Sequence, residues 1–472
     1  MPVIVAIKTI SCQNRYIVLY LPPLVFPPSG GNPMRQSYSA RPSLFLSLLA
    51  VILALVTCYV PAFAQNNNED KDEGHGARRA KVLAGYFEEW SIYGAHYNIA
   101  DLQNNGVADK LTHFYYAFAN VAPTSGAPDA MCHIADSWAD FQTPFLPPVN
   151  GIADTAPLFG NFAELVKLKQ LHPNLKILIS LGGASAANTA GFAFAASTPQ
   201  LRAQLASSCI DMFIKGNVAA GVSTGSLFDG IDVDWEFPAA ADKQNFTLLL
   251  QEFRNQLDAL GAANKTHYLL TIAAPAGEQN FSNIELAKVA KQLDFFNIEG
   301  YDYHGTWETT TNHHAPLFGS RRVPDNFFIE FTIDAYLDAG VPARKLLLGL
   351  PFYGRGWTGV PNVNHGLYQT STGAAPSPAG DTLATDGVAT FATLQAQTGS
   401  QSFFDPRRFA HWTYNPTTQT FWSFDDELTT RLKMLYVNFR VPGGLGGAYF
   451  WAFKDDDANG TLAKTMASGL GR

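Results

Sequence analysis

The sequence predicts an α/β protein, a (β/α)8 barrel with a small α+β subdomain inserted between strands seven and eight. Three observations predict it. Short apolar, strand-forming runs alternate with longer helix-like stretches, eight such runs occur, and the interval between the last two is far too long for a simple connection. Alternation of this kind favours parallel strands joined by right-handed helical crossovers. With 472 residues, 47% of them apolar and 13% aromatic, the chain can bury the large core that a barrel needs. A doubly wound open sheet is the competing arrangement. It requires a glycine-rich nucleotide loop after the first strand, and Phe87-Glu88-Glu89-Trp90 is no such loop.

Taken in order, residues 1–33, with Pro22, Pro23, Pro27 and Pro28, fit neither a leader nor a core and read as an upstream mis-start, with translation beginning at Met34. Residues 34–64 read as a signal peptide: Arg35 and Arg41, the apolar run Leu44–Val56, then the A-x-A site Ala62-Phe63-Ala64. That run is shorter than the ~20 residues of a spanning helix, which argues against a retained anchor. Secretion to an extracellular or periplasmic space is therefore expected. Residues 65–80 are polar and charged, as in a flexible linker. Within the barrel, residues 81–465, strands are expected at Lys81–Phe87, Leu111–Val121, Lys176–Gly182, Leu227–Glu236, His267–Ala274, Leu293–Tyr301, Lys345–Phe352 and Gly446–Trp451. Helices are expected at Phe162–His172, Gln200–Lys215, Lys243–Leu260 and Phe328–Ala339. Residues 122–173 form a long loop between strands two and three. The interval Thr358–Leu445 carries the aromatics Phe403, Phe404, Trp412, Tyr414, Phe421 and Trp422, so part of it, residues 358–422, should fold as the subdomain.

Charge narrows the partners. Residues 1–64 hold four basic residues and no acidic one, so the remainder sets 28 basic against 40 acidic residues. This balance suits a neutral or weakly basic polysaccharide and not nucleic acid. Removal of the leader also removes Cys12 and Cys58, leaving Cys132 and Cys209, which in an oxidising compartment either pair or remain buried thiols.

The chemistry concentrates in Leu227–Pro238, LFDGIDVDWEFP. On a strand, side chains alternate, so Asp232, Asp234 and Glu236 share one face while Ile231, Val233 and Trp235 pack on the other. Three neighbouring acids repel one another, and their repulsion raises at least one pKa towards neutrality, which is how a general acid is made. A calcium loop would need a glycine at its sixth position and oxygen ligands in a turn, not strand formers between the acids.

Asp229, Asp232, Asp234 and Glu236 also reproduce the D-x-x-D-x-D-x-E signature of glycoside hydrolase family 18. Ser180-Leu181-Gly182-Gly183 matches its S-x-G-G, Tyr301-Asp302 its Y-D, PFYGRGW at 351–357 its P-F-Y-G-R, and Trp451 the tryptophan of its last strand. On these motifs the chain resembles the chitinases of that family over residues 80–465. The resemblance implies a TIM barrel with an inserted lobe walling the cleft, chitin or N-acetylglucosamine oligosaccharides as substrate, a monomer, and neither cofactor nor metal. It implies Glu236 as general acid, Asp234 as acceptor of the substrate's acetamido N–H, Asp232 sharing a proton with Asp234, and Tyr301 on strand six steering the acetamido carbonyl. It further implies Asp302, Tyr353, Arg355, Tyr86 and Ser180 as polar contacts to the sugar, Trp451 and Trp307 as stacking platforms, and Asp229, Gly182 and Gly183 as structural. Trp90, Trp138 and Trp357 belong either to the cleft or to the core, and Trp235 to barrel–helix packing.

Two positions depart from the pattern. Ala184 stands where such chitinases often carry tryptophan, and Glu299 where methionine is common. By strand alternation Glu299 shares the inward face of Tyr301, so it must be protonated or paired, with Arg355 as a candidate partner. His113, His304, His313 and His314 lack metal-ligand spacing and read as loop and core histidines. An endo-β-N-acetylglucosaminidase acting on glycoprotein glycans uses the same acids and is the enzymatic alternative. A silent chitin-binding lectin is the other, and the presence of Glu236 argues against it.

Overall fold

The computed structural model describes residues 80–472 except 124, 322 and 323. The segments read as mis-start and signal, nearly all of the linker, and Cys12 and Cys58 lie outside the described residues. Eight parallel strands close on themselves: β1 Val82–Glu88, β2 His113–Asn120, β3 Lys176–Gly182, β4 Gly230–Asp234, β5 Leu269–Ala274, β6 Phe295–Ile298, β7 Leu346–Pro351 and β8 Gly447–Trp451. Each pairs with its neighbour in sequence, and β8 returns to β1.

Alternation sets what each face meets. Outward side chains such as Ile231, Val233, Leu270 and Ile272 join the large core beneath the helices. Inward ones, including Tyr86, Tyr115, Leu178, Leu347 and Tyr449, fill the barrel. Trp235 belongs to the outer layer, stacked 5.3 Å from Phe192 and edge-on to Phe246. Helices Gly160–Leu171, Pro199–Cys209, Lys243–Asn264 and Ile329–Asp338 cover the strands. Pro199–Cys209 begins where propensity places it, with proline in the first turn and the Thr198 hydroxyl accepting the Leu201 N–H. Cys132 and Cys209 form a disulfide that fastens the loop after β2 to the end of this helix.

The expected strands are present but shorter. β4 ends at Asp234, so Glu236 stands two residues beyond it, and β6 ends at Ile298, so Tyr301 lies on the following loop instead of the strand. At the opposite end of β4, Asp229 accepts the Ile177 N–H at 2.9 Å and binds Lys169 at 2.7 Å, which fastens β4 to β3. After β7 the chain builds a six-stranded antiparallel sheet from Tyr353–Thr358 to Thr420–Ser423 around Trp357, Trp412, Tyr414 and Phe421. Tyr353 and Arg355 therefore ride on a strand of this sheet and not on a free loop.

Candidate active site

Asp232 is the buried foundation of the site. In register, Ser180 of β3 and Thr271 of β5 flank it, and their hydroxyls donate to its carboxylate at 2.7 and 2.6 Å. The Tyr86 hydroxyl and Asn297 Nδ2 donate at 2.8 and 3.1 Å. Burial pushes this carboxyl up, and the four donors pull against that shift. Each of its oxygens thus has two donors. Ser180 is fully buried, so it supports Asp232 and does not face the sugar.

Above it opens a cleft of about 910 Å³ lined by Asp234, Glu236, Glu299, Tyr301, Asp302 and Trp451 among others. Asp234 is 4% exposed and its Oδ1 has no hydrogen-bond partner, although it is buried. Glycines let the chain pass close by. A Cβ on Gly182, whose φ is +110°, would lie 2.3 Å from the Asp234 carbonyl oxygen, and one on Gly183 would strike the Phe118 ring. Gly183 instead donates its N–H to that carbonyl at 2.9 Å.

Glu236 reaches the cleft from just past β4, its carbonyl held by the Thr189 hydroxyl at 2.9 Å. Burial, aided by the negative charge of Asp302, pushes its carboxyl up to about 7. Carboxylate oxygens of Asp234, Glu236 and Glu299 lie within 4.8 Å of one another. Burial first, then mutual repulsion, drives Asp234 and Glu299 well above the carboxylate range. Among the described residues this trio alone has the spacing of a shared ion. Carboxyls this close share protons among themselves instead of all ionising together.

Arg355 does not pair with Glu299. Its Nε and a terminal nitrogen each donate to Asp302 at 2.7 Å, a fork that Tyr353 completes through its hydroxyl at 2.8 Å. Burial disfavours the Asp302 charge, yet His314, Arg355 and Tyr353 hold that carboxyl below its ordinary value. Since burial drives His314 itself down to about 3, the Arg355 fork carries this at neutral pH. Asp302 adopts φ +54°, which turns its carboxylate towards the inserted sheet. The Tyr301 hydroxyl meets that of Tyr449 at 3.1 Å.

Trp451 lines the cleft, stacked 5.7 Å from Phe118, and Trp90 continues the series 6.1 Å further on. Trp307 is 59% exposed with the Arg355 guanidinium 5.3 Å over its ring. Trp357 is core and Trp138 an exposed surface ring. His304, His313 and His314 are buried, and His113 packs edge-on against Phe295. Thr271, Asn297 and Tyr449 escaped the sequence reading. Their signal was a lone polar group in an apolar run, as in YLLTIAA and DFFNI.

The profile of the family described as "Glycosyl hydrolases family 18" matches residues 82–456. The chain is 33% identical over 474 residues to Chitinase A1 of Niallia circulans, covering 92% of this chain and 63% of that protein. It is 36% identical over 402 residues to Chitinase C of Streptomyces lividans, covering 82% and 60%. It thus spans less than two thirds of the length of either relative. The catalytic domain of psychrophilic chitinase B from Arthrobacter TAD20 superposes with a TM-score of 0.74 at 32% identity, covering 84% of this chain and 96% of that domain.

Proposed function

The chain belongs to glycosyl hydrolase family 18, and on that premise we propose that it is a secreted, monomeric chitinase hydrolysing β-1,4 bonds between N-acetylglucosamine residues by substrate-assisted retention. One observation carries the reading: the Glu236 carboxyl, which burial pushes up to about 7, stands within 4.8 Å of that of Asp234, whose buried Oδ1 has no hydrogen-bond partner. Glu236 gives its proton to the glycosidic oxygen as the bond breaks. The carbonyl oxygen of the substrate's own acetamido group attacks the anomeric carbon, as in the substrate-assisted glycosidases. Asp234 Oδ1 takes the acetamido N–H and balances the positive charge of the cyclic intermediate, while the Tyr301 hydroxyl orients the acetamido carbonyl. Water then opens the ring with Glu236 as base, restoring the original anomeric configuration.

Trp451 offers an aromatic floor to the apolar face of a sugar ring. Arg355 and Tyr353 fix Asp302 at the cleft wall, where its free edge can meet hydroxyls. The disulfide is consistent with an oxidising, extracytoplasmic destination.

Steady-state assays with N-acetylglucosamine oligomers test the reading. Glu236→Gln should lower kcat by about 10²–10⁴-fold, and fully deacetylated oligomers should not be cut. Turnover of a glycoprotein glycan in place of the oligomers would transfer the protein to the endo-β-N-acetylglucosaminidases. Binding of oligomers without turnover by the wild type would make it a lectin.

A further inference from the structure

Glu299 has no assigned role in the mechanism above, yet it sits in the middle of its acids. Asp232, Asp234 and Glu236 face it from β4 and its exit, Asp302 and the hydroxyls of Tyr301 and Tyr303 from its own loop. Tyr336 faces it from helix Ile329–Asp338, Tyr353 from the inserted sheet, and Tyr449 from β8. Among the described residues the one cation lining this wall is Arg355, and Asp302 occupies its fork. None of the described cations lining it is left for Glu299, so three carboxyls whose oxygens lie within 4.8 Å must divide protons among themselves.

We propose that Glu299 is a positioning residue acting through Glu236: as the third carboxyl of the cluster it stores a proton against the donor and keeps Glu236 protonated in more alkaline solution. The proposal deepens the reading given above and rests on it. The proton count gives the direction. Productive binding needs Asp234 ionised and Glu236 protonated, so a cluster of two acids fails as soon as it loses a second proton. With Glu299 present, a second proton loss leaves one proton still shared with Glu236. That count, made over three carboxyls whose oxygens lie within 4.8 Å of one another, moves the alkaline limb of activity upward.

The test compares pH profiles of kcat/KM on an N-acetylglucosamine tetramer for the wild type, Glu299→Gln, Glu299→Met and Glu299→Asp. The alkaline limb of the Gln and Met variants should move about one unit towards acid, a tenfold loss at a fixed pH above the midpoint, whatever the height of their plateaus. The Asp variant should restore most of it. Limbs that superimpose on the wild type, or that move towards alkali, overturn the proposal. Difference infrared titration of the protonated carboxyl band supplies a readout independent of turnover, and Glu299→Gln should release its remaining protons at lower pH than the wild type. If the wild type cut no N-acetylated oligomer, the chitinase reading would fall, while the infrared titration would still decide what Glu299 does.

Discussion

Asp232 makes clear how much of a reactive site is support. It does not line the cleft, yet four donors from four strands converge on it, and of these only Tyr86 lines the cleft. Thr271→Val tests the cage with little change in volume or strand propensity. The substitution removes a charge-assisted bond worth about 1.5–3 kcal/mol. If half of that is felt when charge rearranges above Asp232, kcat falls about 4- to 13-fold. KM should hardly change, because Thr271 is fully buried. Kinetics showing a raised KM at constant kcat would mean that the hydroxyl serves binding. The acids themselves were legible, since period-two alternation in LFDGIDVDWEFP puts them on one face. Their partners were not. Thr271 and Asn297 come from other strands, and only register brings them to Asp232. The Arg355–Asp302 fork was equally hidden, because Asp302 turns away from its neighbours in a left-handed conformation that the sequence does not announce.

At the scale of elements, apolar runs located all eight barrel strands, and every error lay at an end. β4 and β6 stop earlier than their patterns because the alternation of Asp234, Trp235 and Glu236, and of Glu299 and Tyr301, continues into loops where side chains still face the cleft. A two-residue pattern records facing and not hydrogen bonding, so the end of a barrel strand and the start of its catalytic loop look alike. The inserted sheet begins at Tyr353, five residues before the expected insertion, for a related reason: PFYGRGW carries both the end of β7 and the first strand of the second sheet. Pairing of Cys132 with Cys209 was not legible from spacing, since the two stand 77 positions apart and the chain between them folds through β3 and three α-helices. Closing a loop of that length stabilises the folded state by about 4.5 kcal/mol on the chain-entropy model. Cys132→Ser with Cys209→Ser should therefore lower Tm by about 5 °C for a barrel of this size. An unchanged melting temperature would show that the loop after β2 is held by its packing alone.

For the whole molecule, buried acids decide how stability responds to pH. Beside the cleft, burial and then the charge of Asp140 push the Glu89 carboxyl up to about 10, and burial pushes Asp140 up to about 8 against hydrogen bonds with Tyr116 and Glu89, while Asp234 and Glu299 lie well above the carboxylate range. Unfolded, all four ionise near pH 4, so above that pH the folded state binds more protons and stability falls as pH rises. Buried histidines act in the opposite sense over a different window. Burial lowers His113 and His313 to about 4 and His314 to about 3, so the unfolded chain binds the extra protons between about pH 4 and 6.5, and stability is lost as pH falls through that interval. The two sets oppose each other below about pH 6.5, and above it only the acids act. Four carboxyls outnumber three histidines, so calorimetric Tm should decline only slightly between about pH 5 and 6.5 and more steeply from there to about pH 9. Glu89→Gln keeps the shape of the side chain without its charge, so it should flatten that decline at every pH above about 4. A Tm that rose between pH 7 and 9 would require Glu89 and Asp140 to be ionised in the folded protein, with a cation beside them that this structure does not place there.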